Sequence, residues 1–162
     1  MIQCDIFYIL SSIIKIEFKL IRVNNFPFEG VHHPVTISYG DDAYVITGSN
    51  TDNVYKYDSS TDSWTQLNPF PGGIRGFAYG VAVGSKAYIG FGSDSNSVHP
   101  NDWWEYDIIL DTWSQKSDLI GNDRHHPFYF GIGDYAYVGF GHGSLPGPGS
   151  NPSSNSYIYN CL

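Results

Sequence analysis

The sequence predicts an all-β fold built from repeated four-stranded units. The clearest repeat lies between two stretches, NVYKYDSSTDSW from Asn53 and NDWWEYDIILDTW from Asn101. Equivalent residues in these stretches are 49 positions apart: Tyr57 and Tyr106, Asp58 and Asp107, Trp64 and Trp113. A period of about 50 residues, with four short strand-like runs in each unit, is typical of a β-propeller blade.

Two further observations support this prediction. The runs GDDAYVITGS from Gly40, GSKAYIGFGS from Gly84 and GDYAYVGFGH from Gly133 are three copies of one strand. Each follows a copy of another strand: HHPVTISYG, GFAYGVAVG and HHPFYFGIG. The composition agrees, because 17% aromatic residues, 18 glycines and only 15% charged residues suit short strands and tight turns and argue against a disordered chain.

The elements follow in order along the chain. The first unit is predicted to span residues 31–70, with strands at 33–39, 43–48, 53–58 and 63–67, and the second to span 71–119, with strands at 77–83, 87–92, 102–107 and 112–116. The third unit, 120–162, contains strands at 126–132, 136–141 and 156–160. No fourth, tryptophan-bearing strand follows in the third unit. The prediction is therefore an incomplete array of two full units and a truncated third.

Residues 1–30 are placed outside the repeat. Their apolar run, FYILSSII from Phe7, has no basic segment before it and no small-residue cleavage site after it, and it is too short to span a bilayer. A poor signal segment, an edge or closing strand, and a piece of different origin remain alternatives. Cys4 and Cys161 are expected to be unpaired thiols, with a disulfide between them as the alternative.

The units resemble kelch repeats, and in particular the kelch arrays of bacterial envelope and secreted proteins. The motifs that show this are FPGGIR from Phe70 and NDWWEYD from Asn101, and the resemblance covers residues 31–160. It implies an incomplete kelch-type β-propeller related to the galactose oxidase-like superfamily, and an extracellular or cell-envelope location. The usual Gly-Gly doublet of the family is replaced here by Thr47-Gly48, Phe91-Gly92 and Phe140-Gly141.

The connection between the second and third strands supplies the candidate binding residues. It lengthens from residues 49–52 to 93–100 and then to 142–155, and such loops gather on one face of a propeller. Their polar and aromatic side chains predict a surface for a protein or a glycan, made by Asp94, Asn96, His99, Trp103, His142 and Asn155.

The histidine pairs His32-His33 and His125-His126 occupy equivalent repeat positions. Without a zinc-type ligand spacing they are interpreted as polar starts of strands. No metal, cofactor or catalytic residue is predicted. The net charge of −8 argues against a nucleic-acid partner, which requires basic residues, and no membrane span is predicted.

These observations favour a non-catalytic kelch-repeat interaction module. The module would be part of a longer array, or would complete its ring as a homo-oligomer or with residues 1–30. The alternative is a fragment of a propeller enzyme, either galactose-oxidase-like or a sugar epimerase, whose catalytic residues lie in absent blades.

Overall fold

The computed structural model describes residues 21–118 and 126–139, together with the backbone of residues 156–160. In these residues the fold is all-β, with eleven strands and no helix. The first sheet contains β1 (Val35–Tyr39), β2 (Asp42–Ile46), β3 (Val54–Asp58) and β4 (Ser63–Leu67). The second contains β5 (Tyr79–Val83), β6 (Lys86–Gly90), β7 (Trp103–Asp107) and β8 (Thr112–Lys116). The third contains β9 (Phe128–Ile132), β10 (Tyr135–Gly139) and β11 (Ser156–Asn160).

Each sheet is an antiparallel meander, in which every strand pairs with the next one along the chain. Two-residue turns join the first strand of each sheet to the second. The first residue of each turn is a glycine at positive φ, as a tight hairpin requires: Gly40 at 58°, Gly84 at 58° and Gly133 at 57°. The eleven strands predicted from the sequence are therefore confirmed.

The strand ends differ from the prediction in a regular way. The first strand of each sheet begins two residues later than predicted, and the second strand ends about two residues earlier. Left-handed backbone is the cause, because a residue at positive φ cannot continue a strand. His33, Phe77 and His126 have φ of 52°, 56° and 52° ahead of the first strands, and Thr47 and Phe91 have φ of 46° and 58° after the second strands.

The sheets pack face to face through two apolar cores. The first core lies between the first and second sheets, where Ile37 and Tyr44 meet Ile89 and Tyr106. The second core lies between the second and third sheets and buries Val81, Tyr88 and Trp103 against Ala136 and Val138. The first strands of neighbouring sheets also contact each other, β1 with β5 and β5 with β9. The sheets thus stack in chain order with their first strands adjacent.

One cross-strand pair differs between the first two sheets in a compensating way. In the second sheet Gly90 pairs with Trp103, whose side chain is 1% exposed. A Cβ atom on Gly90 would lie 2.4 Å from Cε3 of that indole. In the first sheet the equivalent pair is Ile46 and Val54, both completely buried. Two medium side chains in one sheet therefore fill the volume that one large side chain fills in the other.

An asparagine clasp joins the first sheet to the second. Asn68, one residue after β4, donates its backbone N–H to the Asp111 carboxylate at 3.1 Å and its side-chain amide to the Asp111 carbonyl at 2.8 Å. Tyr106 donates its hydroxyl to the same carboxylate at 2.7 Å. Trp113 donates its indole N–H to the Asn68 carbonyl at 3.2 Å. The linker that leaves one sheet is thus fixed to the β7–β8 turn of the next sheet.

The same clasp occurs at the first sheet, made by a residue ahead of the predicted start of the repeat at Val31. Asn24 donates its backbone N–H to the Asp62 carboxylate at 2.8 Å and its side-chain amide to the Asp62 carbonyl at 2.7 Å. Tyr57 and Trp64 repeat the contacts of Tyr106 and Trp113. The segment from Asn24 therefore has the structural role of the linker that begins at Asn68.

Arg75 holds the linker between the first two sheets. Its guanidinium is buried, forms a bidentate ion pair with Asp102, and donates to the Gly72 carbonyl at 2.7 Å. Its backbone N–H donates to the Gly48 carbonyl at 2.9 Å. Because Gly48 follows β2 and Asp102 precedes β7, one residue of the FPGGIR motif ties the linker to both sheets.

Candidate functional site

The candidate site lies at the end of the sheets where the linkers arrive and the long loops leave. The first strand of each sheet begins at this end and the second strand ends there, so linkers and β2–β3-type loops are neighbours. Two contacts fix this arrangement: Ser49 donates its N–H to the His32 carbonyl at 2.8 Å, and Gly76 forms an isolated β-bridge with Ser93.

Three rings from three sheets contact each other in a line at this end, and we call His33, Phe77 and His126 the aromatic row. The ring centroids of His33 and Phe77 are 3.8 Å apart, and those of Phe77 and His126 are 4.3 Å apart. His32 extends the row beyond His33, at 3.7 Å. The two row histidines are exposed and Phe77 is half-buried, so the row presents aromatic surface to solvent.

The backbone of the row is strained. All three residues have φ between 52° and 56°, a region that bulky L-residues rarely adopt. Such conformations cost on the order of 1–3 kcal/mol each and cluster at functional sites, where the surrounding structure imposes them. Three aromatic residues at equivalent positions of three sheets share this conformation. The strained backbone is thus a repeated feature of this end of the molecule.

Polar groups border the row. The Ser49 Oγ atom lies 3.5 Å from Nδ1 of His33, and the Tyr79 hydroxyl lies 3.5 Å from Nδ1 of His126. Partial loss of hydration, followed by repulsion from His32 and His126, holds the pKa of His33 below its ordinary value. The row therefore combines imidazole and phenyl rings, and its ring nitrogens can donate and accept hydrogen bonds.

The electrostatic coupling within the row gives a prediction for His126→Gln. Removing that imidazole should raise the pKa of His33 toward its ordinary value, because one source of positive charge is lost. An imidazole ¹H–¹⁵N NMR titration measures this directly. His99→Gln, on the β6–β7 loop, is the matched control and should leave the His33 titration unchanged. An unchanged titration in His126→Gln would show that the two rings do not interact in solution.

The sign of the linked stability effect follows from the lowered pKa of His33. In the unfolded chain the pKa of His33 is near 6.5, and in the folded chain it is lower. As the pH falls through this region, the unfolded chain therefore protonates His33 more readily than the folded chain does. The contribution of His33 therefore reduces folding stability as the pH falls through that region. His126→Gln should weaken this acid sensitivity.

Asp94 organises the loop between β6 and β7. Its carboxylate accepts the backbone N–H groups of Asn96 and Val98, both at 2.8 Å, and its own N–H donates to the Val98 carbonyl at 2.9 Å. The Val98 N–H, with that of Asn96 and the nearby Arg75 charge, lowers the pKa of Asp94. Both backbone donors bind the same carboxylate oxygen, Oδ1, so that oxygen serves to hold the loop together. Asn96 is exposed and His99 half-buried on the same loop.

The other predicted binding residues have different outcomes. Trp103, expected to offer an aromatic platform, is 1% exposed and packs in the second core against Tyr88 and Phe91. Its ring fills the space left by Gly90 and is not available at the surface. His142 and Asn155 lie outside the described residues, as do His125, Cys4 and Cys161. The described part of the predicted surface is therefore Asp94, Asn96 and His99.

The histidine pairs do not come together as a metal site in the described residues. No group of three or more His, Cys, Asp or Glu side chains in residues 21–118 and 126–139 is arranged to hold an ion. Nor does any helix in these residues have the length and apolar character needed to cross a membrane. His33 and His126 are instead linked through Phe77.

Sequence reasoning missed the aromatic row, although part of its signal is visible. His33 and His126 are at equivalent repeat positions, and Phe77 is at the same position in the second unit. Their left-handed backbone has only a weak sequence signal, since histidine is among the residues enriched at such φ values but phenylalanine is not. The clasp at Asn24 did have a signal: the pattern Asn-x-Phe-Pro occurs both from Asn24 and from Asn68.

Comparison with known proteins defines the fold and leaves the activity open. No protein-family model matches the chain, and no curated protein sequence matches it. Among solved structures 141 chains match. One is the structure of YjhT, which is 24% identical with a TM-score of 0.66, and the match covers 75% of this chain and 37% of that one. The chain thus spans little more than a third of that protein's length.

Proposed function

We propose that the three sheets are blades of a kelch-type β-propeller and that the chain is a non-catalytic interaction module of an extracellular or envelope protein. The face-to-face packing of four-stranded meanders, the adjacent first strands and the kelch-like FPGGIR and WEYD motifs support the architecture. The bound partner is a glycan or a protein loop. The binding surface is the end of the blades that bears the aromatic row and the β6–β7 loop.

The observation that carries this proposal is the strained row of His33, Phe77 and His126, whose two histidines are exposed and whose phenylalanine is half-buried. Aromatic faces stack on the apolar faces of sugar rings, and neutral imidazoles donate and accept hydrogen bonds with hydroxyl groups. The chain's net charge of −8 disfavours polyanionic partners. A neutral glycan therefore fits the chemistry of the row better than a nucleic acid or an acidic peptide.

A glycan array probed with the purified chain tests this proposal. Phe77→Gly is the informative variant, because glycine adopts a φ of 56° without strain while the central ring is removed. Binding to any glycan recognised by the wild type should weaken by about tenfold or more, equivalent to about 1.4 kcal/mol. Ile109→Ser, 64% exposed at the opposite end of the second sheet, is the control and should bind normally.

Two results would count against the proposal. If no neutral glycan binds and a displayed peptide library yields ligands that are insensitive to Phe77→Gly, the row is not the binding surface. If glycan binding survives Phe77→Gly but is lost on deletion of the β6–β7 loop, the site lies on that loop instead.

A further inference from the structure

The third sheet has one apolar face that nothing in the described residues covers. Its other face packs on the second sheet, while on the open face Phe130 is 42% exposed and Ile132 is 59% exposed. Phe130 stacks on Tyr137 and on Phe128, with ring centroids 4.9 and 5.5 Å apart. A contiguous exposed apolar patch of this kind marks an interaction surface.

The repeat shows what kind of surface covers such a face. Two series of equivalent positions form it: Ile37, Val81 and Phe130 in the first strands, and Tyr44, Tyr88 and Tyr137 in the second strands. The first member of each series is buried between the first and second sheets, and the second member between the second and third. In the first and second sheets, this face is covered by the next sheet along the chain. The third sheet carries the equivalent face.

The matching surface is present on the open face of the first sheet. A groove of about 240 Å³ lies there, lined by Phe26, Val31, Pro34, Val45 and Trp64. The repeat equivalents of four of these residues lie in the second sheet and its linker, where they pack against the first sheet: Phe70, Ala78, Ile89 and Trp113. The open face of the first sheet is thus equivalent to the face of the second sheet that packs against the sheet before it.

The Asn24 clasp adds a backbone argument. Asn68 follows the fourth strand of one sheet and is clasped by the next sheet. Asn24 is clasped by the first sheet in the same way, so the residues leading to it, Ile21 to Val23, correspond to the end of a fourth strand. The third sheet has three strands in the described residues, in the order β11-β10-β9, with β11 at its edge.

We infer that two copies of this chain pair head to tail. The open face of the third sheet in each copy packs on the open face of the first sheet in the other. Residues 21–23 of one copy then lie beside β11 of the other, in the place of its fourth strand. This inference rests on the propeller architecture proposed above and is independent of the ligand.

The number of described sheets favours two copies over three. The three described sheets of two copies make six, within the roughly four to eight blades with which propellers close, whereas those of three copies make nine. The match to YjhT covers 75% of this chain and 37% of that one, so that chain is about twice as long, which is the length of two copies of this chain.

The first test is the solution mass of the purified full chain, measured by sedimentation equilibrium. Twice the mass of one chain is expected, and a monomer at all concentrations would overturn the inference. Phe130→Lys and Val45→Lys place a charge on the two opposed faces, and each variant alone should be monomeric. Ile109→Lys, on neither face, should remain a dimer. Far-UV circular dichroism confirms that each variant is folded.

Mixing the two monomeric variants tests which faces pair. Phe130→Lys keeps an intact first-sheet face and Val45→Lys keeps an intact third-sheet face, so the mixture should form a one-to-one heterodimer through one intact interface. If each face pairs with its own kind, each variant keeps one intact self-pairing face, stays a homodimer on its own and forms no heterodimer in the mixture; the head-to-tail arrangement is then wrong.

A designed disulfide tests the exchanged strand. In the sheet register Val23 and Ser156 are equivalent to the paired residues Leu67 and Val54, so they should face each other between copies. With Cys4 and Cys161 changed to serine, the double variant Val23→Cys/Ser156→Cys should form covalent dimers with oxidised glutathione. Each single-cysteine variant should not. An intramolecular disulfide would place the strand within one copy and overturn the exchange. A monomer that still binds glycan would overturn the pairing alone.

Discussion

Arg75→Met lowers the free energy of unfolding by about 3 kcal/mol, the lower end of the range for breaking a buried ion pair. The substitution keeps much of the apolar volume beside Phe70 but removes the cation from Asp102, whose side chain is 19% exposed. The carboxylate retains the Trp104 indole N–H as a donor, at 2.7 Å. Urea denaturation of the purified variant measures the loss.

Lys56→Met is the matched control for that experiment. Lys56 also pairs with a carboxylate, Asp42, but both side chains are about a quarter to a third exposed. An exposed pair contributes about 0–1 kcal/mol, so the control should unfold close to the wild type. Adding Asp102→Asn to Arg75→Met should recover part of the stability, since no buried charge is then left unpaired. Equal stabilities of Arg75→Met and Lys56→Met would show that the linker ion pair is not a structural tie.

Trp103→Val should cost about 3 kcal/mol, because it leaves a cavity opposite Gly90. Gly90→Ile alone should cost about 1–3 kcal/mol, since its Cβ atom would overlap the Trp103 ring. The double variant recreates the Ile46–Val54 pair of the first sheet, and its cost should be smaller than the sum of the two single costs.

The coupling energy between these two substitutions is the decisive quantity, and we expect about 1–3 kcal/mol of mutual rescue. The rescue is partial, because the Asp102 carbonyl lies 2.6 Å from the position of the new Cβ atom and must shift. Thermal or urea unfolding of the wild type and the three variants completes the cycle. Gly30→Ala, where the added Cβ atom would meet nothing within 4 Å, serves as the control. Strict additivity would mean that the pair is not packed as described.

The sequence predicted the strands well because their signals are local. The Tyr-Asp pairs, the glycine turns and the apolar runs recur at fixed spacing, and each corresponds to an observed strand or hairpin. The errors lie at the strand ends, where left-handed residues such as Phe91 and His33 interrupt the pairing. Those φ values depend on contacts between sheets, which periodicity does not encode.

The site was predicted less completely for a related reason. Loop length drew attention to Asp94 and its neighbours, but whether an aromatic side chain faces solvent depends on the residue across the strand pair. Trp103 is buried because Gly90 leaves room for it, a relation between residues 13 positions apart. The row of His33, Phe77 and His126 needs three sheets to assemble before its rings meet.

The two ways of filling the same cross-strand position restrict how such an array can be recombined. A whole sheet carries its own solution, Ile46 with Val54 or Gly90 with Trp103, and is exchangeable as a unit. A hybrid that joined β2 to β7 would oppose isoleucine with tryptophan, and one that joined β6 to β3 would oppose glycine with valine. The isoleucine–tryptophan hybrid would have too much side-chain volume at this position, and the glycine–valine hybrid would have a cavity. Gene shuffling should therefore tolerate crossovers in the linkers near Asn68 and reject those between the second and third strands.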